Sequence, residues 1–169
     1  MVLTLMLRCV PRHFTLQDLL GDLDPVLPTM DVNFVHLPQD ARRSGNITLA
    51  FLSFESQEAA SRAAIACSGR KWSGSPGSPA CLVTAARIQG FEENLAHYLR
   101  RAARPGHGGG PPLLLRGGRP MSLQDAVAAM GVSLPTGSVA AVSQQLLPKY
   151  PTLVPGAECV PLPRWVRTG

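Results

Sequence analysis

The chain predicts an α+β fold of the ferredoxin-like kind, ordered β-α-β-β-α-β, with an appended C-terminal helix and a largely disordered tail. Three observations lead there. Four short segments alternate between apolar and polar residues with a period of two. Two segments between them repeat apolar residues at helical spacing behind good capping residues. The last third of the chain changes composition: ten of the 16 Pro and ten of the 16 Gly fall in residues 104–169. Such a stretch buries too little apolar surface to offset the cost of ordering its backbone.

Leu3 to Cys9 alternates, with Leu3, Leu5 and Leu7 on one face and Thr4, Met6 and Arg8 on the other. Pro11 closes this strand because it lacks an N–H for the ladder. Thr15 is a good N-cap, Asp18 suits the first turn, and Leu16, Leu19, Leu20 and Leu23 form a helical stripe that Asp24-Pro25 stops. Val32 to Leu37 reads as the second strand. Gly45 to Phe54 reads as the third and central one, with Ala50, Leu52 and Phe54 opposed to Ile47, Leu49 and Phe51. Ser56 caps a second helix whose Ala59, Ala60, Ala63, Ala64 and Cys67 let it lie close on a sheet, and Gly69 suits its C-terminal cap. Cys81 to Ala86 is the fourth strand.

A third helix follows over about 91–103, with Leu95, Tyr98 and Leu99 on its apolar side. Right-handed crossovers place both main helices on one sheet face and leave the other open, with Met6, Arg8, Ile47, Leu49 and Phe51 upon it. The expected units are therefore a domain over 1–103 and a basic tail over 104–169. Within the tail, Ser122-Leu-Gln-Asp125 followed by Val127 and Met130 predicts one short helix over about 122–130.

The totals exclude several classes. Residues 1–103 hold ten Lys+Arg against nine Asp+Glu, and residues 104–169 hold six against two, so most of the net charge of +5 lies in the tail. A modest basic balance is compatible with nucleic acid without requiring it. The four cysteines form no Cys-x-x-Cys pair and no zinc spacing, which points to thiols in a reducing compartment. The apolar N-terminus is short and interrupted by Arg8, so it reads as a strand rather than a signal peptide, and no run approaches spanning length. A protein inside the cell, in nucleus or cytoplasm, with no membrane partner and no cofactor, is expected.

With the strands placed, Leu5-Met-Leu-Arg-Cys-Val10 and Ile47-Thr-Leu-Ala-Phe-Leu-Ser-Phe54 resemble the paired signatures of the RNA recognition motif. His36-Leu-Pro-Gln-Asp40, Gly69-Arg-Lys-Trp72 and Ala86-Arg-Ile-Gln-Gly90, in that order, narrow the resemblance to the C-terminal motif of Mei-two-like meiotic regulators, the RNA recognition motif 2 family. It covers about residues 3–101. Relatives carry this motif at the end of a longer chain, which leaves two readings, a stand-alone version or a chain lacking an N-terminal part.

The resemblance implies an RRM sandwich that binds single-stranded RNA on its open sheet, in post-transcriptional or meiotic RNA regulation. It places Met6, Leu49 and Phe51 at the three usual base-stacking positions, where only Phe51 is aromatic. It also sets Cys9 where Asn is common and Thr48 where Gly is common. Base–aromatic stacking contributes about 1–3 kcal/mol per base, so two missing rings weaken the platform unless other contacts replace them. Arg8, His36, Arg87 and Gln89 are the further expected RNA contacts. Arg42, Arg43, Arg100 and Arg101 are weaker candidates for phosphate, since a charge run is usually a solvated face. Trp72 reads as a loop anchor, and His97 and Tyr98 as packing for the third helix.

The aliphatic character of this face also suits a protein-interaction module with weak RNA binding, through the sheet or the tail. An acylphosphatase-like enzyme on the same fold would need a glycine-rich phosphate cradle beside a catalytic Arg. Cys9-Val-Pro-Arg-His13 offers the Arg alone, so catalysis is not expected.

Overall fold

The computed structural model describes residues 1–104 and 110–131. Six strands form one antiparallel sheet: β1 (Thr4–Arg8), β2 (Val32–His36), β3 (Leu49–Phe54), β4 (Leu82–Ala85), β5 (Leu113–Arg116) and β6 (Arg119–Met121). Their spatial order is β4-β1-β3-β2-β5-β6. The first four are the strands expected from the alternating segments. The central one is shorter than expected, because Gly45 to Thr48 form the loop that leads into it.

Helices α1 (Leu16–Leu23) and α2 (Gln57–Cys67) cover one face. Both begin as their caps dictate. The Thr15 hydroxyl accepts from the Asp18 N–H while the Asp18 carboxylate accepts from the Thr15 N–H, and the Ser56 hydroxyl accepts from the Ala59 N–H. The alanine face of α2 is buried with Cys67, and Gly69 takes the left-handed conformation (φ 76°) just past the helix end. Leu5, Leu7, Ala50, Leu52 and Phe54 meet these helices in the main core, where Trp72 packs edge-on against Phe14 with centroids 5.8 Å apart.

The other face is not open. Helix α3 (Phe91–Ala102) lies over it, and residues 110–131 add a hairpin and a further helix, α4 (Leu123–Ala129). β5 pairs with β2, Phe34 opposite Leu114, and β6 closes the hairpin. Phe34, Leu95, Leu99, Leu114, Val127 and Met130 are buried together in a second core on this side. Ser122 caps α4 through the Asp125 N–H, as its sequence predicts. The hairpin is a departure from the tail expected to be largely disordered. The expectation for residues 132–169 lies outside the described residues.

The second core predicts that the domain does not end at residue 103. A chain ending at Arg104 should be less stable than one ending at Gly131 by at least about 2 kcal/mol, since one large apolar side chain returned to water costs about 1.5–3 kcal/mol. Urea melts of the two chains compare them, and equal midpoints at equal slopes would show that the hairpin and α4 contribute nothing.

Candidate nucleic-acid interface

Helix α3 and the sheet enclose a groove of about 170 Å³ rather than a flat platform. Asn94, His97, Tyr98 and Arg101, spaced along one side of α3, form one wall. His36, Leu49 and Phe51 form the sheet side, and Pro38, Ile47 and Ile88 the rim. No Asp or Glu lines it.

The expected site residues fall into three groups. Leu49, Phe51 and His36 come together in the groove, and all three are half-buried. The His36 ring meets Tyr98 edge-on at 5.5 Å and Phe34 at 6.2 Å, so it joins α3 to the sheet. Arg8 is exposed at the end of β1, opposite Leu49. Arg42 and Arg43 are exposed on the loop that leaves the groove rim at Pro38 and returns at Ile47. Their backbone N–H groups donate to Asp40 Oδ1 at 2.9 and 3.2 Å. Those bonds, the one from Arg42 foremost, together with the Arg12 guanidinium, hold the Asp40 carboxyl below the usual range. Arg101 reaches the groove, Arg100 is half-buried beside it on α3, and Arg87 is exposed after β4.

Two expected contacts are corrected. Met6 is only 3% exposed, so it lies buried beneath the covered part of the face instead of offering a surface to a base. Gln89 is occupied within the fold. Its Oε1 accepts from the N–H groups of Leu3 and Thr4 at 2.7 and 2.8 Å, and its Nε2 donates to the carbonyls of Thr4 and Ala86. No donor or acceptor of that amide is left over for RNA.

A family model described as RNA recognition motif 2 matches residues 2–100. The chain belongs to the RNA recognition motif 2 family. The second RRM domain of yeast poly(U)-binding protein, a solved structure, is similar at 17% identity and a TM-score of 0.42, over 53% of this chain and 99% of that one. No curated protein matches. Membership supports RNA binding in general terms, in a family of non-enzymatic domains. Among the described residues no helix is long and apolar enough to cross a membrane, and no cluster of His, Cys, Asp or Glu suits a metal ion.

Within this RRM, two positions that flank the groove strands are strained. Cys9 has φ 63° and Thr48 has φ 66°, both in the left-handed region that favours glycine and asparagine. They face each other at the ends of β1 and β3, where the Val10 N–H donates to the Thr48 carbonyl at 3.2 Å. Asn46 fixes the turn. It is wholly buried, its Nδ2 donates to the carbonyls of Pro11 and Phe14, and its Oδ1 accepts from the Thr48 N–H at 2.7 Å. Asn and Gly, which the RRM resemblance sets at these two places, are the residues such a backbone tolerates best.

His97 is the one strongly perturbed group at the groove. Burial, followed by Arg101, Arg100 and Arg104, lowers its pKa from 6.5 to about 4. The imidazole is therefore neutral at physiological pH. On the helix side, burial raises Cys67 to about 11 and Cys81 to about 12, so both stay protonated.

The strained backbone and the lowered His97 pKa each lead to a prediction. Relieving a left-handed β-branched residue gains about 1–2 kcal/mol, and the freedom a new glycine gives the unfolded chain takes back about 0.4–1 kcal/mol. Thr48→Gly should therefore stabilise the domain by about 0.5–1 kcal/mol, and Cys9→Asn should also raise the melting temperature. A lower melting temperature for both would show that these residues are not strained. The second concerns pH. His97 binds protons less readily in the folded than in the unfolded state, so stability is full above pH 6.5 and is lost as pH falls through about 4. His97→Gln should flatten that limb of the stability–pH curve, and an unchanged limb would assign the acid sensitivity elsewhere.

Proposed function

We propose that this protein binds single-stranded RNA by admitting one base into the groove between α3 and the sheet, with Phe51 as its stacking partner. The observation that carries this reading is the groove itself. It holds the half-buried Phe51 ring on its floor and Arg101 on its wall, and it has no carboxylate in its lining. An aromatic face takes any base, and a guanidinium at the edge pairs with phosphate. Arg8, Arg42, Arg43 and Arg87 add exposed cations for the backbone, with Arg100 behind Arg101. Leu49 lies beside Phe51 as an aliphatic surface where relatives commonly stack a second base. The process served is post-transcriptional RNA regulation in nucleus or cytoplasm, and a meiotic setting rests on the Mei-two-like resemblance alone.

The competing reading is a protein-interaction module. Its support is the aliphatic rim, where Ile47 is 38% exposed beside Leu49.

Anisotropy titrations of the full chain with single-stranded RNA separate the two. Phe51→Ala should weaken binding by about 1–3 kcal/mol, and Leu49→Tyr should tighten it by restoring a ring. Because Phe51 also supports the second core, Leu49→Asp serves as the variant that leaves the core intact, and it should weaken binding as well. Affinity unchanged by all three would remove the groove from the RNA site, and absence of any RNA binding would favour the protein-interaction reading.

A further inference from the structure

The β5–β6 hairpin carries a charge arrangement that the groove does not use. Its turn is Gly117-Gly118, both with positive φ (56° and 76°), which suits a two-residue hairpin connection. That turn fixes the register so that Arg116 stands directly opposite Arg119. In the same register Leu114 stands opposite Met121, and both belong to the second core. Alternation along each strand then puts Arg116 and Arg119 on the same sheet face as that core and the groove. Cβ atoms at such a pair lie about 4.5–5.5 Å apart, and like charges directly opposite destabilise a sheet.

Both arginines are exposed, and among the described residues no carboxylate lies within ion-pair distance of either. They line a shallow hollow with Met121, Asp125, Ala128 and Ala129. Asp125, the one acid there, accepts the Ser122 hydroxyl at 2.7 Å and serves the helix cap. The alanines leave the hollow open beside the two guanidinium groups.

We propose that Arg116 and Arg119 form a second anchor for the RNA, a phosphodiester clamp that holds the strand beyond the base in the groove. An anion between the two guanidinium groups turns a repulsive pair into two charge-assisted contacts. The clamp rests on the proposed RNA reading and extends it, because it lies on the same face and requires a strand long enough to reach past α4. No sequence signal of the RRM contains it, since the hairpin lies outside the matched residues 2–100.

The test uses the full chain and two fluorescent single-stranded RNAs, of about four and about twelve nucleotides, within the range of site sizes for such strands. Arg116→Ser/Arg119→Ser should weaken binding of the long strand about tenfold and leave the short one unchanged. It should also lower the slope of log affinity against log salt for the long strand by about 0.7, the value for one phosphate neutralised on a single strand. Arg116→Lys/Arg119→Lys should recover most of the loss. Thermal melts of the serine variant should match or exceed the parent because a like-charge pair has been removed, and those of the lysine variant, which keeps both charges, should match the parent.

Equal loss on both strands, or no loss on the long one, overturns the clamp. Phe51→Ala run in parallel keeps the two readings apart. If it has no effect while the serine pair does, the clamp stands and the groove reading fails. If it weakens both strands while the serine pair changes neither, the groove stands and the clamp fails. Inorganic phosphate at millimolar concentration that abolishes the difference between parent and serine variant without any RNA-length dependence would mark the hairpin as a simple anion site, and would overturn the strand clamp.

Discussion

The reading side of this domain depends on how α3 is seated, and α3 is seated on one buried hydroxyl. Thr4 Oγ1 accepts from the Gly90 N–H at 2.9 Å and from Asn94 Nδ2 at 3.0 Å, and donates to Ser53 Oγ at 3.2 Å. The Gln89 amide closes the same knot by pairing with the backbone of Leu3, Thr4 and Ala86. Gly90, with φ 90°, supplies the sharp entry into the helix. Every member is satisfied from within the fold, and a buried network that loses one partner leaves the others exposed to the full desolvation cost. Helix α3 is thus pinned at its first turn to β1 and, through Ser53, to β3 rather than tethered as a loose lid, and the groove width is a property of the fold.

That seat explains the unusual composition of the sheet face. The position of Met6 lies beneath the covered region, where a ring would have no base to meet and where a flexible thioether fills irregular space well. Phe34, in β2, is spent on the second core against Leu95 and Leu99. What remains accessible is the strip from His36 through Phe51 to Leu49 and Arg8, with α3 as its wall. Fewer rings on the sheet face thus go together with a groove walled by α3 in place of an open platform.

Much of this was legible in the sequence. The four alternating segments became four strands, the small-residue face of α2 is buried residue for residue, and Thr15, Ser56 and Ser122 all cap the helices they precede. These features are local, and local chemistry decides them. The role of Gln89 was not legible, because its partners stand about 85 residues away in the chain and only the fold brings them together. The hairpin was legible in principle. Leu113-Leu-Leu-Arg116 followed by Gly117-Gly118 is a strand-and-turn signal, but the surrounding Pro and Gly made the segment read as tail. Pro120 did not exclude a strand, since β6 is an edge strand where a missing N–H costs no ladder bond.

The electrostatics of the slot follow from the end of α3. Arg100 and Arg101 lie in its last turn, where cations oppose the helix dipole favourably. Burial, with their field added, lowers the His97 pKa from 6.5 to about 4. The slot therefore presents a neutral imidazole, an aromatic ring and a guanidinium, with no carboxylate among its lining residues. A neutral His97 beside permanent cations is poorly placed to act as a proton donor at physiological pH, and it can accept a hydrogen bond from a base edge without adding charge. The Arg101 guanidinium on the wall carries its charge at any physiological pH, so the field of the slot responds to salt rather than to acid. The fixed seat of α3 on Thr4 keeps those groups in register.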